Sequence, residues 1–131
     1  MNPAPSSFDC SGPLPPHAVE GIRLFNEGKY FEAHEELETA WRAEHGPIRT
    51  LYQGILEIAV SYLHITRNNY DGAVKVYGRA LKWLHNYPDA CQGVDVAQFK
   101  RDAGDVFAEV QRLGPKQLAD FDRSLFKPIR F

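Results

Sequence analysis

The amino-acid sequence predicts an all-α protein, a compact antiparallel array of about five main helices with a central, buried third one. Three observations carry this. Apolar residues recur at helical spacing in five successive segments, and none alternates with the period of two that a half-buried strand needs. Gly28, Gly46-Pro47, Tyr87-Pro88 and Gly114-Pro115 punctuate those segments. The stretch Gly28–Trp41 returns, in modified form, forty residues later as Asn68–Leu81.

The chain has 131 residues, one domain's worth. The expected division is an irregular leader, 1–16, in which Pro3, Pro5, Pro13, Pro15 and Pro16 forbid a helix, and a single helical domain, 17–131. Apolar content of 44% and charged content of 24% are those of an ordinary globular protein able to build a core without staples. The net charge of −2 is spread over interspersed signs, so no basic stripe points to nucleic acid and no basic amphipathic helix to a membrane surface. The longest apolar stretch, Leu51–Ile65, is interrupted by Gln53, Glu57, Ser61 and His64, which excludes it as a membrane span. The first residues, MNPAPSSFDCSGPLPP, lack the apolar core of a secretory signal, and the cytoplasm is the expected compartment. A bridge between Cys10 and Cys91 is open to such a chain, but the expectation is two free thiols.

In order along the chain, Val19, Ile22 and Phe25 place a first helix at about 17–27, stopped by Gly28. Tyr30, Ala33, Leu37, Ala40 and Trp41 form the stripe of a second, about 30–45. The third, about 47–67 and opened by Pro47, is apolar nearly all round, which is the mark of a buried, central helix. Asn68 or Asn69 caps a fourth, about 70–86. Asp95 followed by Gln98 opens a fifth, which Gly114-Pro115 stops. A short helix follows near 116–121, and Leu125, Phe126, Ile129 and Phe131 of the tail are expected to dock on the domain.

The forty-residue repeat pairs Tyr30 with Tyr70, Ala33 with Ala73, Leu37 with Tyr77 and Ala40 with Ala80. This resembles the second helix of a tetratricopeptide repeat, whose period is shorter. The longer period implies a compact tetratricopeptide-like array with an extended third helix.

The chemistry-bearing residues sit beside apolar stripes. On the second helix His34, Glu38, Trp41 and His45 fall within roughly 60° of one another, with Glu35 intermediate and Glu36 turned to water. On the third, Gln53, Glu57, Ser61 and His64 fall within roughly 80°. Polar groups on a buried helix need partners or a ligand. The neighbouring second helix is the nearest supply, and the antiparallel register puts His34 near Ser61 and His64, with Glu38 near Glu57. Two imidazoles and two carboxylates on adjacent helices are the donor set of a divalent metal, with His34, Glu38 and His64 as its ligands. The spacing is neither the H-E-x-x-H of zinc hydrolases nor the paired Glu-x-x-His of di-iron bundles. Arg49 flanks the cluster as a bidentate hydrogen-bond donor to an anionic group or as a partner for Glu38 or Glu57. Trp41 and Trp83 are expected in the core, and Gly54 and Gly78 at close helix contacts.

The string FNEGKYFEAHEELETAWRAEHGPIRTLYQGILEIAVSYLHITRNNYDGAVKVYGRAL resembles the domain-of-unknown-function 309 family. The matching elements are Phe25-Asn26-x-Gly28-x-Tyr30, Ala33-His34-Glu35-x-x-Glu38-x-x-Trp41, Gly46-Pro47, Leu51-x-Gln53-Gly54, His64, Asn68 and Gly72-Ala73. The resemblance implies an all-helical array with no established activity and supports the His34, Glu38, Gln53 and His64 cluster. Relatives tend to carry Gln where this chain has Glu57, so a carboxylate there is not implied to be essential.

Two function classes follow. The first is an interaction or scaffold-type module in which the His/Glu/Gln cluster between the second and third helices is structural. The alternative is a small-molecule or divalent-metal-binding protein, in its strongest form a metal-dependent hydrolase, using His34, Glu38, Gln53 and His64, with Glu35, Trp41, Arg49, Glu57 and Ser61 lining the ligand site. The expected partner is accordingly a protein or a small molecule. The sequence assigns no catalytic residue, and the balance leans away from an enzyme.

Overall fold

The structure, a computed structural model, describes residues 9–131. The first eight residues of the Pro-rich leader lie outside the described residues. Five helices follow in order: α1 (Pro16–Asn26), α2 (Tyr30–Ala43), α3 (Arg49–Thr66), α4 (Tyr70–Leu84) and α5 (Val96–Gln117). α3 packs against both α2 and α4, α1 covers α2, and α5 lies against α4. The order of contacts shows the antiparallel layout. Ser61 meets Ala73, Glu57 meets Arg79 and Gly54 faces Leu84, so α3 and α4 run in opposite directions. Leu51, Tyr52, Ile55, Ile58, Ala59 and Tyr62 of α3 are buried, as its all-round apolar pattern requires. The forty-residue correspondence reappears in the burial of its small residues: Ala33, Ala40, Ala73 and Ala80 all lie in the core.

The local signals act largely as expected. Pro16 opens α1, where its missing donor costs nothing. Asn69 caps α4 by accepting from the Gly72 amide at 3.0 Å, and Asp95 caps α5 by accepting from the Gln98 amide at 3.0 Å. Gly114 takes φ 72°, ψ 178° and kinks α5, and Pro115 restarts one more turn rather than ending the helix outright. The tail docks through buried Ile129 and half-buried Leu125 and Phe126, whereas Phe131 stays exposed.

Three expectations are corrected. A two-residue antiparallel ladder, β1 (Ala90–Cys91) with β2 (Val94–Asp95), joins α4 to α5; it is too short to leave a period-two pattern in the sequence. Cys10 and Cys91 are not free thiols but a disulfide, because the chain at Cys10 lies against the β1 turn, where the Gln92 amide donates to the Cys10 carbonyl at 2.9 Å. Gly54 does sit at a close approach, against Leu84, but Gly78 faces open space.

Candidate functional site

The polar line of α3 is turned toward α4. Glu57, 5% exposed, accepts from Arg79 Nε at 2.8 Å and from Trp83 Nε1 at 2.5 Å. Ser61, fully buried, donates its hydroxyl to the Ala73 carbonyl. His64 Nδ1 lies 3.1 Å from Asn69 Nδ2, the amide of the α4 cap. Burial, reinforced by the Arg67 charge, lowers the pKa of the His64 imidazole from its ordinary value. Every buried polar group on this line therefore has its partner in α4 or the cap that starts it.

The residues of α2 make other contacts. His34 is half-buried and packs its ring on Phe31, with centroids 5.9 Å apart. Glu38 pairs with Arg42 one turn on, at 3.7 Å, and Glu35 is exposed. Glu36, expected to point to water, accepts from His17 of α1 at 2.8 Å. The expected direct meeting of His34 or Glu38 with Gln53, Glu57, Ser61 or His64 is absent among the described residues. The reason is geometric. α3 is packed on two sides, and the helical rotation that carries Glu57 and Ser61 off its open side carries them toward α4. Among the described residues no three His, Cys, Asp or Glu side chains gather as a metal ion requires, so His34, Glu38 and His64 are not brought together as ligands.

What the α2 shoulder does meet is Arg49. Its guanidinium lies over the Trp41 ring at 4.5 Å and donates from Nη2 to the Trp41 carbonyl at 3.4 Å, instead of pairing with Glu38 or Glu57. Its Nε is buried without a hydrogen-bond partner among the described residues. Arg49, Gln53 and Val60, all half-exposed, lie within roughly 40° on α3 and form a strip along the helix. Trp41 borders the strip on the α2 side, and Arg79 with Trp83 border it on the α4 side. Neither indole is in the core: Trp41 is half-buried and Trp83 is 40% exposed. The sequence reading missed Arg79 and Trp83. The available signal was their i,i+4 spacing on α4 at the level of Glu57, given an antiparallel α3–α4 pair.

Residues 18–76 match the family model of DUF309, a domain of unknown function. The DUF309 segment takes in nearly all of α1, all of α2 and α3, and the first half of α4. It contains Glu57, Ser61 and His64 but ends short of Arg79 and Trp83. The chain is also similar to an uncharacterized protein of Aquifex aeolicus (strain VF5), 24% identical over 100 residues. That match covers 76% of this chain and 30% of the relative, so the chain spans less than a third of the length of the relative it matches. No helix among the described residues is long and apolar enough to cross a membrane.

Proposed function

We propose that this DUF309 chain is a protein-interaction module built on two tetratricopeptide-like units, α1–α2 and α3–α4, and that the open α2–α3–α4 strip receives an amphipathic helix of a protein partner. One observation carries the reading. The buried polar groups of α3 are satisfied internally by α4, while two indoles and an arginine, the side chains that most often anchor protein interfaces, frame the half-exposed strip on α3. Phe31, 46% exposed next to His34, extends the apolar surface along α2. Gln53 makes no hydrogen bond to protein among the described residues, which leaves an amide at the centre of the strip for a partner's backbone or side chain. The Aquifex relative supports the same reading, because there the matching region is joined to more than twice its own length of further chain. The cytoplasmic setting belongs to this reading, and the Cys10–Cys91 bridge is the feature that tests it.

The experiment is site-specific photo-crosslinking in the source cells, with p-benzoylphenylalanine at Gln53 in the strip and, as control, at exposed Lys75 on the outer side of α4. A discrete adduct from Gln53 that is absent from Lys75, and is lost on Trp41→Ala, supports the module. Identical adduct patterns from the two positions would refute it.

A further inference from the structure

We propose that a second site, independent of the α2–α3–α4 strip, binds a small organic anion, a phosphate monoester or carboxylate carried on a planar body. The site is a pocket of about 380 Å³ where the α1–α2 turn, the end of α3 and the C-terminal tail meet. That is the size of a small-molecule site.

The floor is aromatic. Phe25 and Tyr30 pack edge to face with centroids 5.1 Å apart, and Tyr30 meets Phe126 in the same way at 5.4 Å. Arg123 and Lys127 of the tail line the pocket. Arg123 gives one Nη2 hydrogen bond to the Thr66 carbonyl at 3.3 Å, and Lys127 gives one to the Ser124 carbonyl at 3.1 Å. Neither makes an ion pair among the described residues, and both can turn to a ligand, Lys127 while also feeling the more distant carboxylates of Asp102 and Asp122. The single carboxylate in the lining, Glu27, pairs with Lys29 at 3.3 Å and shares Arg23, at 2.6 Å, with Glu20. Arg123 and Lys127 against Glu27 leave the lining positive in balance. A guanidinium fork beside an ammonium point charge is suited to a phosphate or carboxylate head.

The pocket is also held in shape. Asn26 of the α1 terminus clamps the tail through both ends of its amide, donating to the Ile129 carbonyl at 2.9 Å and accepting from the Ile129 amide at 2.7 Å. This fixes the backbone that carries Phe126 and Lys127. The Tyr30 phenol adds a neutral donor: burial outweighs the nearby Arg123 charge and raises its pKa to about 12. Phe25, Asn26, Gly28 and Tyr30 belong to the sequence motif quoted above, so the motif forms one wall and the tail forms the other.

The test is an amide-resolved NMR titration of the full chain at low ionic strength, with phenyl phosphate, benzoate and inorganic phosphate as probes and benzyl alcohol as the uncharged control. The expected result is saturable shifts at Gly28, Tyr30, Thr66 and Lys127 with phenyl phosphate or benzoate, and weaker binding of inorganic phosphate. The stronger of the two ring-bearing probes identifies the head group. Arg123→Ala and Lys127→Ala should each weaken binding at least about tenfold with the melting temperature unchanged. Arg112→Ala, which removes a surface cation elsewhere, should leave binding as it is. Asn26→Ala should weaken binding although both cations remain. The proposal is overturned by an absence of shifts at these residues at about 10 mM of every probe, by shifts scattered over surface cations, by full binding in the Arg123→Ala, Lys127→Ala double variant, or by inorganic phosphate binding as tightly as the ring-bearing probes.

Discussion

The Trp83 indole donates to Glu57 Oε2 at 2.5 Å, so a buried carboxylate on α3 is held by a side chain that is itself 40% exposed on α4. Arg79, half in solvent, supplies the second bond to the same carboxylate. The Glu57 cluster is thus a fastener for the α3–α4 pair that reaches from the core to the surface.

That arrangement makes Glu57 replaceable by an amide. Gln retains one acceptor oxygen for Trp83 or Arg79, and the released partner can turn to water. Glu57→Gln is expected to cost about 1 kcal/mol and Glu57→Ala about 2 kcal/mol, the second leaving both donors unanswered. Urea unfolding followed by tryptophan fluorescence measures both. A loss above about 4 kcal/mol for the Gln variant would show that the charge itself holds the fold.

Two of the helical glycines, Gly54 and Gly78, should respond in opposite senses to the same substitution. A Cβ at Gly54 would meet Leu84 Cγ and Cδ2 at 2.5 Å, so Gly54→Ala must displace a buried leucine. The expected cost is about 1–3 kcal/mol, eased when Leu84→Val is added. At Gly78 a Cβ meets nothing within 4 Å, and Gly78→Ala should stabilise α4 by about 0.5–1 kcal/mol. Thermal melts of the two variants check the pair, and a gain at Gly54 would contradict the close α3–α4 packing.

The Cys10–Cys91 bridge joins residues 81 positions apart and ties the chain at Cys10 to the β1 turn. Closing so long a loop restricts the unfolded chain, and reduction is expected to cost about 2–4 kcal/mol, seen as a lower melting temperature in dithiothreitol. A Cys10→Ser, Cys91→Ser variant should match the reduced protein and ignore the reductant. Thiol trapping in the source cells gives the compartment: blocked cysteines indicate an oxidising setting, and free ones the cytoplasm.

Much of the fold was legible because its determinants are local. The stripes of α1 to α5, the caps at Asn69 and Asp95, and the turn at Gly28 act within a few residues of themselves. The paired Ala residues of the repeat all turned out to be buried. The site was less legible because it depends on which neighbour a helix face meets. The line Gln53, Glu57, Ser61, His64 was visible as a line, but α3 has two flanking helices and the sequence does not state which one the line faces. The answer lay in Arg79 and Trp83, which read alone as a surface cation and a core aromatic. The disulfide was hidden for a related reason: residues between 9 and 16 carry no periodicity, so nothing local places Cys10 beside Cys91.

The pH dependence of stability should carry the mark of Asp102. Its Oδ2 is buried without a hydrogen-bond partner among the described residues, and burial, reinforced by the Asp105 charge, raises its carboxyl above the ordinary range despite the opposing charges of Arg130, Arg101 and Lys127. A carboxyl whose folded pKa is raised binds its proton more tightly in the folded chain than in the unfolded one. Its favourable contribution is present below the unfolded pKa, near 3.9 for Asp, and is lost as pH rises through the folded value. At neutral pH the ionised Asp102 is therefore a burden, and Asp102→Asn should raise the melting temperature. Below about pH 3 the wild-type carboxyl is already neutral and the two proteins should converge. Melting curves of both between pH 3 and 8 decide it. A variant less stable than the wild type at pH 7 would mean that the ion interactions with Arg130 and its neighbours outweigh burial and that the sign is reversed.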